Sequence, residues 1–357
     1  MEYLIEYGMF LAKAATIVLA IVIVIGAITA AGQRQRRDVR KGHIKVTQLN
    51  EHIDEMRDTL RHEILDKSAY KLLSKQEKKQ QKAEEKARKQ QAKSGIKEEG
   101  DAAEERKPRT FVLNFDGNIS ADEVASLREE ITAVLSLAEP LDQVLLRLES
   151  PGGMVHAYGL AASQLSRIKN KRIPLTICVD KVAASGGYMM ACLADKLVAA
   201  PFAMIGSIGV LVQLPNFHKV LKNHDVDYEM ISAGEYKRTL TTFGEITEKG
   251  RDKVQEDVET IHQLFKNWVK DHRPSVDIDR IATGEVWVGT QAKERYMVDD
   301  IRTSDEYIVE ACANGDVFEV EYEFKKSLQD KLGRAFTKSA ETLYQKFFTS
   351  PRDENYY

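Results

Sequence analysis

Cysteine is scarce, with Cys178, Cys192 and Cys312 the only three in a chain of 357 residues. An odd number with no paired spacing excludes a disulfide framework and a zinc finger or ribbon. The thiols then pack as small hydrophobes. Cofactor signatures are missing too: there is no Gly-x-x-x-x-Gly-Lys loop, no dinucleotide fingerprint and no His-Glu-x-x-His. That removes the commonest nucleotide- and metal-dependent enzymes, and no cofactor is expected. Charge of one sign is also absent, since 52 Lys and Arg face 55 Asp and Glu for a net of −3. Such a balance argues against a dedicated nucleic-acid binder. With 43% hydrophobic and 30% charged residues, the chain is too apolar for disorder and too charged for a polytopic membrane protein. Its length suits one large α/β domain with appendages, or two ordinary domains.

Long apolar runs are few, and the first has a clear reading. Behind a tail of residues 1–7, residues 8–32 contain one charge, Lys13, and residues 14–32 contain none. Nineteen helical residues reach about 30 Å, the hydrocarbon thickness of a bilayer. A cleaved signal peptide would carry basic residues before this run, whereas Glu2 and Glu6 stand there, so an uncleaved single-pass anchor is expected. Arg34, Arg36, Arg37, Arg40, Lys41 and Lys45 crowd its C-terminal side. That asymmetry predicts the N-terminus outside and the rest of the chain in the cytoplasm.

The balanced total conceals three unlike segments. Residues 1–32 sum to −1, residues 33–109 to +7 and residues 110–357 to −9. From Gly42 to Leu73, apolar residues Leu49, Ile53, Met56, Leu60 and Ile64 recur at three and four. This predicts an amphipathic helix, paired as a coiled coil or folded back on the main domain. Lys75 to Lys107 is nearly free of large apolar residues, as in a solvated helix or spacer. Residues 33–108 thus read as a helix followed by a charged linker.

At Pro108 the composition changes. Strands are predicted at 111–115, 144–148 and 175–179, with helices at 121–137 and 155–169 between them. This alternation indicates βαβ units and a parallel sheet. The apolar stretch 182–214 is broken by Asp195 and Lys196 and reads as buried α/β core. A long helix is expected at 247–269, a strand at 317–324 and a C-terminal helix at 328–347. The main domain spans 109–325, followed by a C-terminal helix and tail over 326–357.

Three local features carry possible chemistry. Ser150-Pro151-Gly152-Gly153 joins a strand to a helix, and two glycines there leave backbone N–H groups open to an oxyanion; a plain tight turn is the ordinary alternative. Ala184-Ser185-Gly186-Gly187-Tyr188 occupies another strand-to-helix turn. Ser185 is there either a helix N-cap or a nucleophile flanked by small residues. Gly234-Glu235-Tyr236-Lys237 follows a strand-like segment, Tyr228 to Ser232. A lysine with a pKa near 10.4 is only about 0.04% neutral at pH 7, so a lysine base requires burial.

Together these segments resemble the S49 peptidase family, the signal peptide peptidase A group, and within it a single-domain, membrane-anchored branch. The resemblance covers residues 109–315 and, with anchor and linker, extends over the whole chain. It implies an α/β fold related to Clp protease and crotonase. It further implies Ser185 as nucleophile, Lys237 as general base 52 residues later, Gly153 and Gly186 as oxyanion-hole donors, and Ser207 as the residue that orients the lysine. Thr283 to Ala292 matches the family's Gly-x-x-x-x-Gly-x-x-Ala segment through Gly284, Gly289 and Ala292. Two departures stand out: Thr242-Phe243 where Pro-Phe is usual, and Tyr296-Met297-Val298-Asp299 where Gly-Leu-Val-Asp is usual. The implied reaction is endopeptide hydrolysis without metal or organic cofactor. The implied setting is a bacterial inner membrane, with peptides or membrane-associated proteins as substrates and a homo-oligomer whose active sites lie at subunit interfaces. The family's larger members work on the outer face, so a periplasmic domain is the alternative to the cytoplasmic placement.

Three rival readings remain. A Clp-type Ser-His-Asp arrangement would use a histidine about 25 residues after the serine, where Val210 stands; His218 and His156 are the alternatives. A membrane-tethered scaffold would need no hydrolysis. A crotonase-like acyl-CoA enzyme shares the oxyanion logic through fold analogy alone.

Overall fold

The computed structural model describes residues 42–73 and 106–324, with a few isolated residues at 16 and between 75 and 86. The expected anchor, most of the charged linker and the C-terminal helix lie outside the described residues. Among the described residues, no helix is long and apolar enough to cross a membrane. Among the described residues, 42–45 with 322–324 belong to one unit, and those between 46 and 321 form another. In the first, the Gly42 N–H donates to the Tyr322 hydroxyl at 2.8 Å and Lys45 pairs with Glu323 at 3.3 Å.

The described elements follow one another as β1 (Gly42–Gln48), α1 (Leu49–Ile64), β2 (Arg109–Asp116), α2 (Val124–Leu137), β3 (Gln143–Glu149), α3 (Val155–Asn170), β4 (Leu175–Val179), β5 (Val182–Ala184), α4 (Gly186–Ala191), β6 (Lys196–Ala199) and β7 (Met204–Gly206). Then come α5 (His218–Asn223), α6 (Glu248–His272), α7 (Ile278–Ile281), β8 (Val286–Val288), α8 (Gly289–Glu294), β9 (Asp300–Ile301), α9 (Ser304–Asn314) and β10 (Asp316–Phe324). The result is a mixed α/β fold dominated by parallel strands. The main sheet runs β1-β10-β2-β3-β4-β6-β9, and a smaller one runs β5-β7-β8. Every pairing from β10 through β2, β3, β4 and β6 to β9 is parallel.

Sequence explains why these strands lie inside. β4, Leu-Thr-Ile-Cys-Val, is buried at all five positions, as expected of a parallel strand covered on both faces. Alternation sorts the core into two layers. Val112, Leu145, Cys178 and Val198 share one layer with Ile308 and Ala311 of α9. Phe115 points to the other, where its ring meets Tyr158 of α3 at 6.4 Å between centroids.

Most predicted elements appear with ends moved by a few residues, and three expectations are corrected. The helix expected from residue 42 begins only at Leu49. Gly42–Gln48 is a strand, because β-branched Ile44, Val46 and Thr47 near its end favour extended backbone over helix. The fold-back alternative applies at the first helical turn. The Asn50 amide donates to Cys312 O at 3.1 Å and Gly315 O at 2.9 Å, and its Oδ1 accepts from Val317 N at 2.7 Å. Tyr228–Ser232, read as strand-like, forms no strand, since among the described residues no strand edge takes up its backbone groups. The core expected through residue 214 ends earlier: Leu211 is 76% and Val212 57% exposed.

Candidate active site

Two strand-to-helix turns meet at the C-terminal edge of the core. β3 delivers Ser150-Pro151-Gly152-Gly153 ahead of α3, and β5 delivers Ser185 ahead of α4. Ser150 N donates to Val182 O at 2.8 Å, and Ala184 N donates back to Ser150 O at 3.0 Å. This bridge brings the glycine turn against the serine turn. Gly152 has φ +90°, and a Cβ there would lie 2.6 Å from Ser185 Cβ and 2.8 Å from Gly186 N. Only glycine permits that conformation and that approach. A Cβ on Gly153 would stand 2.1 Å from Ile119 O, and one on Gly186 would stand 2.3 Å from the Tyr158 ring.

Ser185 itself sits at φ 52°, ψ −117°, a region that costs a non-glycine residue on the order of 1–3 kcal/mol. Its N–H donates to Gly206 O at 2.8 Å and its carbonyl accepts from Met189 N at 3.0 Å, which holds the strained backbone in place. The residue precedes α4 in the N-cap position, yet its side chain makes no capping bond. The capping role weighed from sequence is therefore not what the hydroxyl does. Among the described residues, Ser185 Oγ has no hydrogen-bond partner, and neither the Gly153 nor the Gly186 N–H donates to a protein acceptor. An uncommitted hydroxyl beside two uncommitted amide donors supplies the parts that acyl transfer requires.

Ser207 joins this neighbourhood through the peptide that precedes it, because Gly206 O is the acceptor for Ser185 N. It too has positive φ, 53°, and its N–H donates to Glu285 O at 2.6 Å. The 283–292 segment earns its small residues here. It forms β8, antiparallel to β7, and a Cβ on Gly289 would lie 2.1 Å from Ala200 O. Tyr296, which replaces a family glycine, retains the positive φ that glycine suits, at 58°. The buried Arg273 guanidinium donates to its carbonyl.

Lys237 is not brought to this cluster. It closes a turn in which its N–H donates to Gly234 O at 3.1 Å, and its side chain is exposed. Among the described residues it makes no hydrogen bond to Ser185 or Ser207. Its segment, residues 210–247, is tied mainly to itself. Phe217 N donates to Thr242 O at 2.7 Å, and the Phe243 ring packs near Phe217 and Tyr228 at 6.2 and 5.9 Å. Apolar side chains project from it, with Ile231 92% exposed. Of the rival bases, His156 is exposed as well and His218 is half-buried.

Sequence reasoning passed over Tyr158. It is fully buried, with its hydroxyl 2.5 Å from Ser150 Oγ and 2.8 Å from Asn118 O. The available signal was helical spacing: Tyr158 falls on the buried face of α3 with Ala161, Ala162, Leu165 and Ile168, where a hydroxyl needs a partner.

Known proteins resemble this chain over nearly its whole length. Residues 2–165 match the model of the peptidase family S49 N-terminal region, and residues 167–317 match peptidase family S49. The chain is 50% identical over 348 residues to "Probable protease SohB" of Haemophilus influenzae, covering 98% of this chain and 97% of that protein. It is 37% identical over 350 residues to "Putative protease SohB" of Buchnera aphidicola subsp. Baizongia pistaciae, covering 98% and 99%. "Protease 4" of Haemophilus influenzae is 27% identical over 208 residues, covering 56% of this chain and 34% of that protein.

Proposed function

Because the chain belongs to peptidase family S49 and its relatives support a peptidase function, we propose that it is a membrane-anchored serine endopeptidase working through a Ser185/Lys237 dyad. The observation that carries this reading is the position of Ser185, strained and unbonded at its hydroxyl, against the Gly152-Gly153 turn. Neutral Lys237, oriented by Ser207, takes the Ser185 proton as Oγ attacks the scissile carbonyl. The Gly153 and Gly186 N–H groups stabilise the tetrahedral oxyanion, a contribution of about 3 kcal/mol per donor. The protonated lysine gives its proton to the leaving amine, and water then hydrolyses the acyl-enzyme. Every proton in this cycle moves between protein, substrate and water, so the proposed reaction needs no metal or organic cofactor.

Within one chain Lys237 stands apart from Ser185, and its segment exposes apolar side chains. Both features support a homo-oligomer in which the lysine of one copy serves the serine of a neighbour. Covering an amine with apolar surface disfavours its charged form, which is the condition a lysine base requires. The substrates proposed are peptides or membrane-associated proteins. Residues 8–32 are proposed to span a bacterial inner membrane once, with the basic flank holding the catalytic domain in the cytoplasm. A topology reporter fused after Tyr357 that is active only in the periplasm would reverse that placement.

The catalytic reading is tested by treating full-length, detergent-solubilised protein with a serine-directed phosphonylating probe and locating the adduct by mass spectrometry. The adduct is expected on Ser185 and lost in Ser185→Ala. No labelling anywhere between pH 7 and 10 would contradict the reading and leave a tethered scaffold of the same fold.

A further inference from the structure

Beneath the glycine turn lies a row of hydrogen bonds whose polarity follows from what each atom can do. The Gly152 N–H can only donate, and it donates to Ser150 Oγ at 3.1 Å. The Asn118 carbonyl can only accept, and it accepts from the Tyr158 hydroxyl at 2.8 Å. A phenol has one proton, and that proton is committed to Asn118. In the 2.5 Å contact between Ser150 Oγ and Tyr158 Oη, the serine is therefore the donor. The row runs from Gly152 N–H to Ser150, from Ser150 to Tyr158, and from Tyr158 to the Asn118 carbonyl. Ser150 and Tyr158 are both 0% exposed, so water cannot substitute for a missing member.

Tyr158 thereby joins three turns. Asn118 belongs to the turn after β2, Ser150 to the turn after β3, and the Tyr158 ring lies against Gly186 at the start of α4, where an added Cβ would come within 2.3 Å. Gly117 closes the node from the remaining side, since a Cβ there would meet Tyr158 Oη at 2.5 Å and Ser150 Oγ at 2.7 Å. Gly153 follows Gly152 directly and is pressed on Ile119, the neighbour of Asn118, and the Ile119 carbonyl accepts from Met154 N at 2.9 Å. Both amides proposed as oxyanion donors are thus seated on Tyr158, one through the hydrogen-bond row and one through the ring.

We propose that Tyr158 is a positioning residue for peptide hydrolysis, setting the Gly153 and Gly186 N–H groups on a common point while touching neither substrate nor reacting atoms. This rests on the reading of Ser185 as nucleophile. Amides aimed at an oxyanion act on charge that develops in the transition state, so a loss of aim lowers kcat and leaves ground-state binding nearly unchanged. Tyr158→Phe keeps the ring and removes only the hydroxyl. Deleting a whole donor typically costs about 10²–10³-fold in kcat, and displacing two donors without deleting either is expected to cost about 10–50-fold. KM should stay within about twofold. Ser150→Ala breaks the same row one step earlier and should show the same split. The double variant should be no slower than the slower single, because both changes interrupt one row.

The test measures kcat, KM and the affinity of a peptide boronate, whose tetrahedral adduct presents an oxygen to the two amides, in detergent-solubilised full-length protein. Wild type and Ser185→Ala are labelled with the phosphonylating probe in parallel. The proposal predicts that boronate affinity falls in step with kcat in both single variants while KM holds. If wild type is labelled at Ser185 and both single variants keep wild-type kcat and boronate affinity, the positioning role is wrong and the nucleophile stands. A rise in KM matching the loss in kcat/KM would equally overturn it, since that marks lost substrate binding. If wild type is not labelled at Ser185, the functional reading fails first and the positioning role fails with it.

Discussion

The two regions that bear the proposed dyad are built on opposite terms. Around Ser185, three turns interlock: glycines at 152, 153 and 186 leave room for nothing larger, and buried hydroxyls at Ser150 and Tyr158 satisfy each other. Around Lys237, residues 210–247 fold on themselves, leave the lysine in solvent and expose Leu211, Val212 and Ile231 at 76%, 57% and 92%. The contrast teaches that, in the proposed dyad, the serine half is preorganised inside a single chain while the lysine half lies on exposed apolar surface. Rigid elements hold the nucleophile, whose aim tolerates little error. The proposed base sits in a segment that exposes apolar side chains.

Substitutions in the two regions should therefore fail in different ways. The largest effect is expected from Lys237→Ala, which should lower kcat at least about 10³-fold while leaving the thermal midpoint where it was. A peptidase assay beside a melting curve checks both, and a large drop in midpoint would mean that the lysine serves folding instead. Gly186→Ala tests the interlocked side. Its methyl has no space beside the Tyr158 ring, so a loss of about 2–3 kcal/mol is expected by denaturant titration. A Cβ on Gly234 in the open segment would lie 3.9 Å from Lys237 Cβ, so Gly234→Ala should cost only the strain of φ +94°, about 1 kcal/mol.

Acid extends the comparison to charge. Burial alone would raise the Asp142 carboxyl, but hydrogen bonds from Arg109, Arg106 and two backbone N–H groups outweigh it and hold the group well below the usual carboxylate range. Its side chain is 0% exposed, with Arg106 at 2.6 Å and Arg109 at 2.8 Å. A depressed folded-state pKa stabilises above the unfolded value, and that stabilisation is lost as pH falls through the folded one. Asp142→Asn should thus cost about 3 kcal/mol at pH 7, a deficit constant down to about pH 4.5 that shrinks below about pH 4. Glu235, in the open segment, is also lowered, by a hydrogen bond from Lys249. That pair is exposed, so Glu235→Gln should leave the midpoint unchanged once salt is raised. The smallest effect on the fold is expected from Ile231→Ser, within about 0.5 kcal/mol by thermal melt. The same change should lower the oligomer mass seen by light scattering, and an unchanged mass with full activity would remove this face from the assembly.

Much of the interlocked side was legible in sequence. β2, β3 and β4 announce themselves as apolar runs before turn residues, and Ser150-Pro151-Gly152-Gly153 and Ala184-Ser185-Gly186-Gly187 mark where strands enter helices. What sequence could not supply was contact between segments distant in the chain. Tyr158 looks like one more apolar position on α3, and only the fold places its hydroxyl between Ser150 and Asn118. The Gly42–Gln48 strand was hidden by the helical spacing that starts at Leu49, since its pairing partner, β10, lies far along the chain. At 210–214 the apolar residues suggested a core that the single chain does not build, because hydrophobic pattern reports what prefers burial without naming the covering surface.

The central claim is that the serine of one copy is served by the lysine of another, and mixing tests it most directly. Ser185→Ala and Lys237→Ala proteins, each inactive alone, are dissociated in detergent, combined and allowed to reassemble, and peptidase activity is measured against each variant treated identically. Restored activity, at a substantial fraction of the wild-type rate, is predicted, because mixed assemblies contain sites with both an intact Ser185 and an intact Lys237. A mixture that assembles yet stays as inactive as its components would contradict the claim and require both residues to come from one chain.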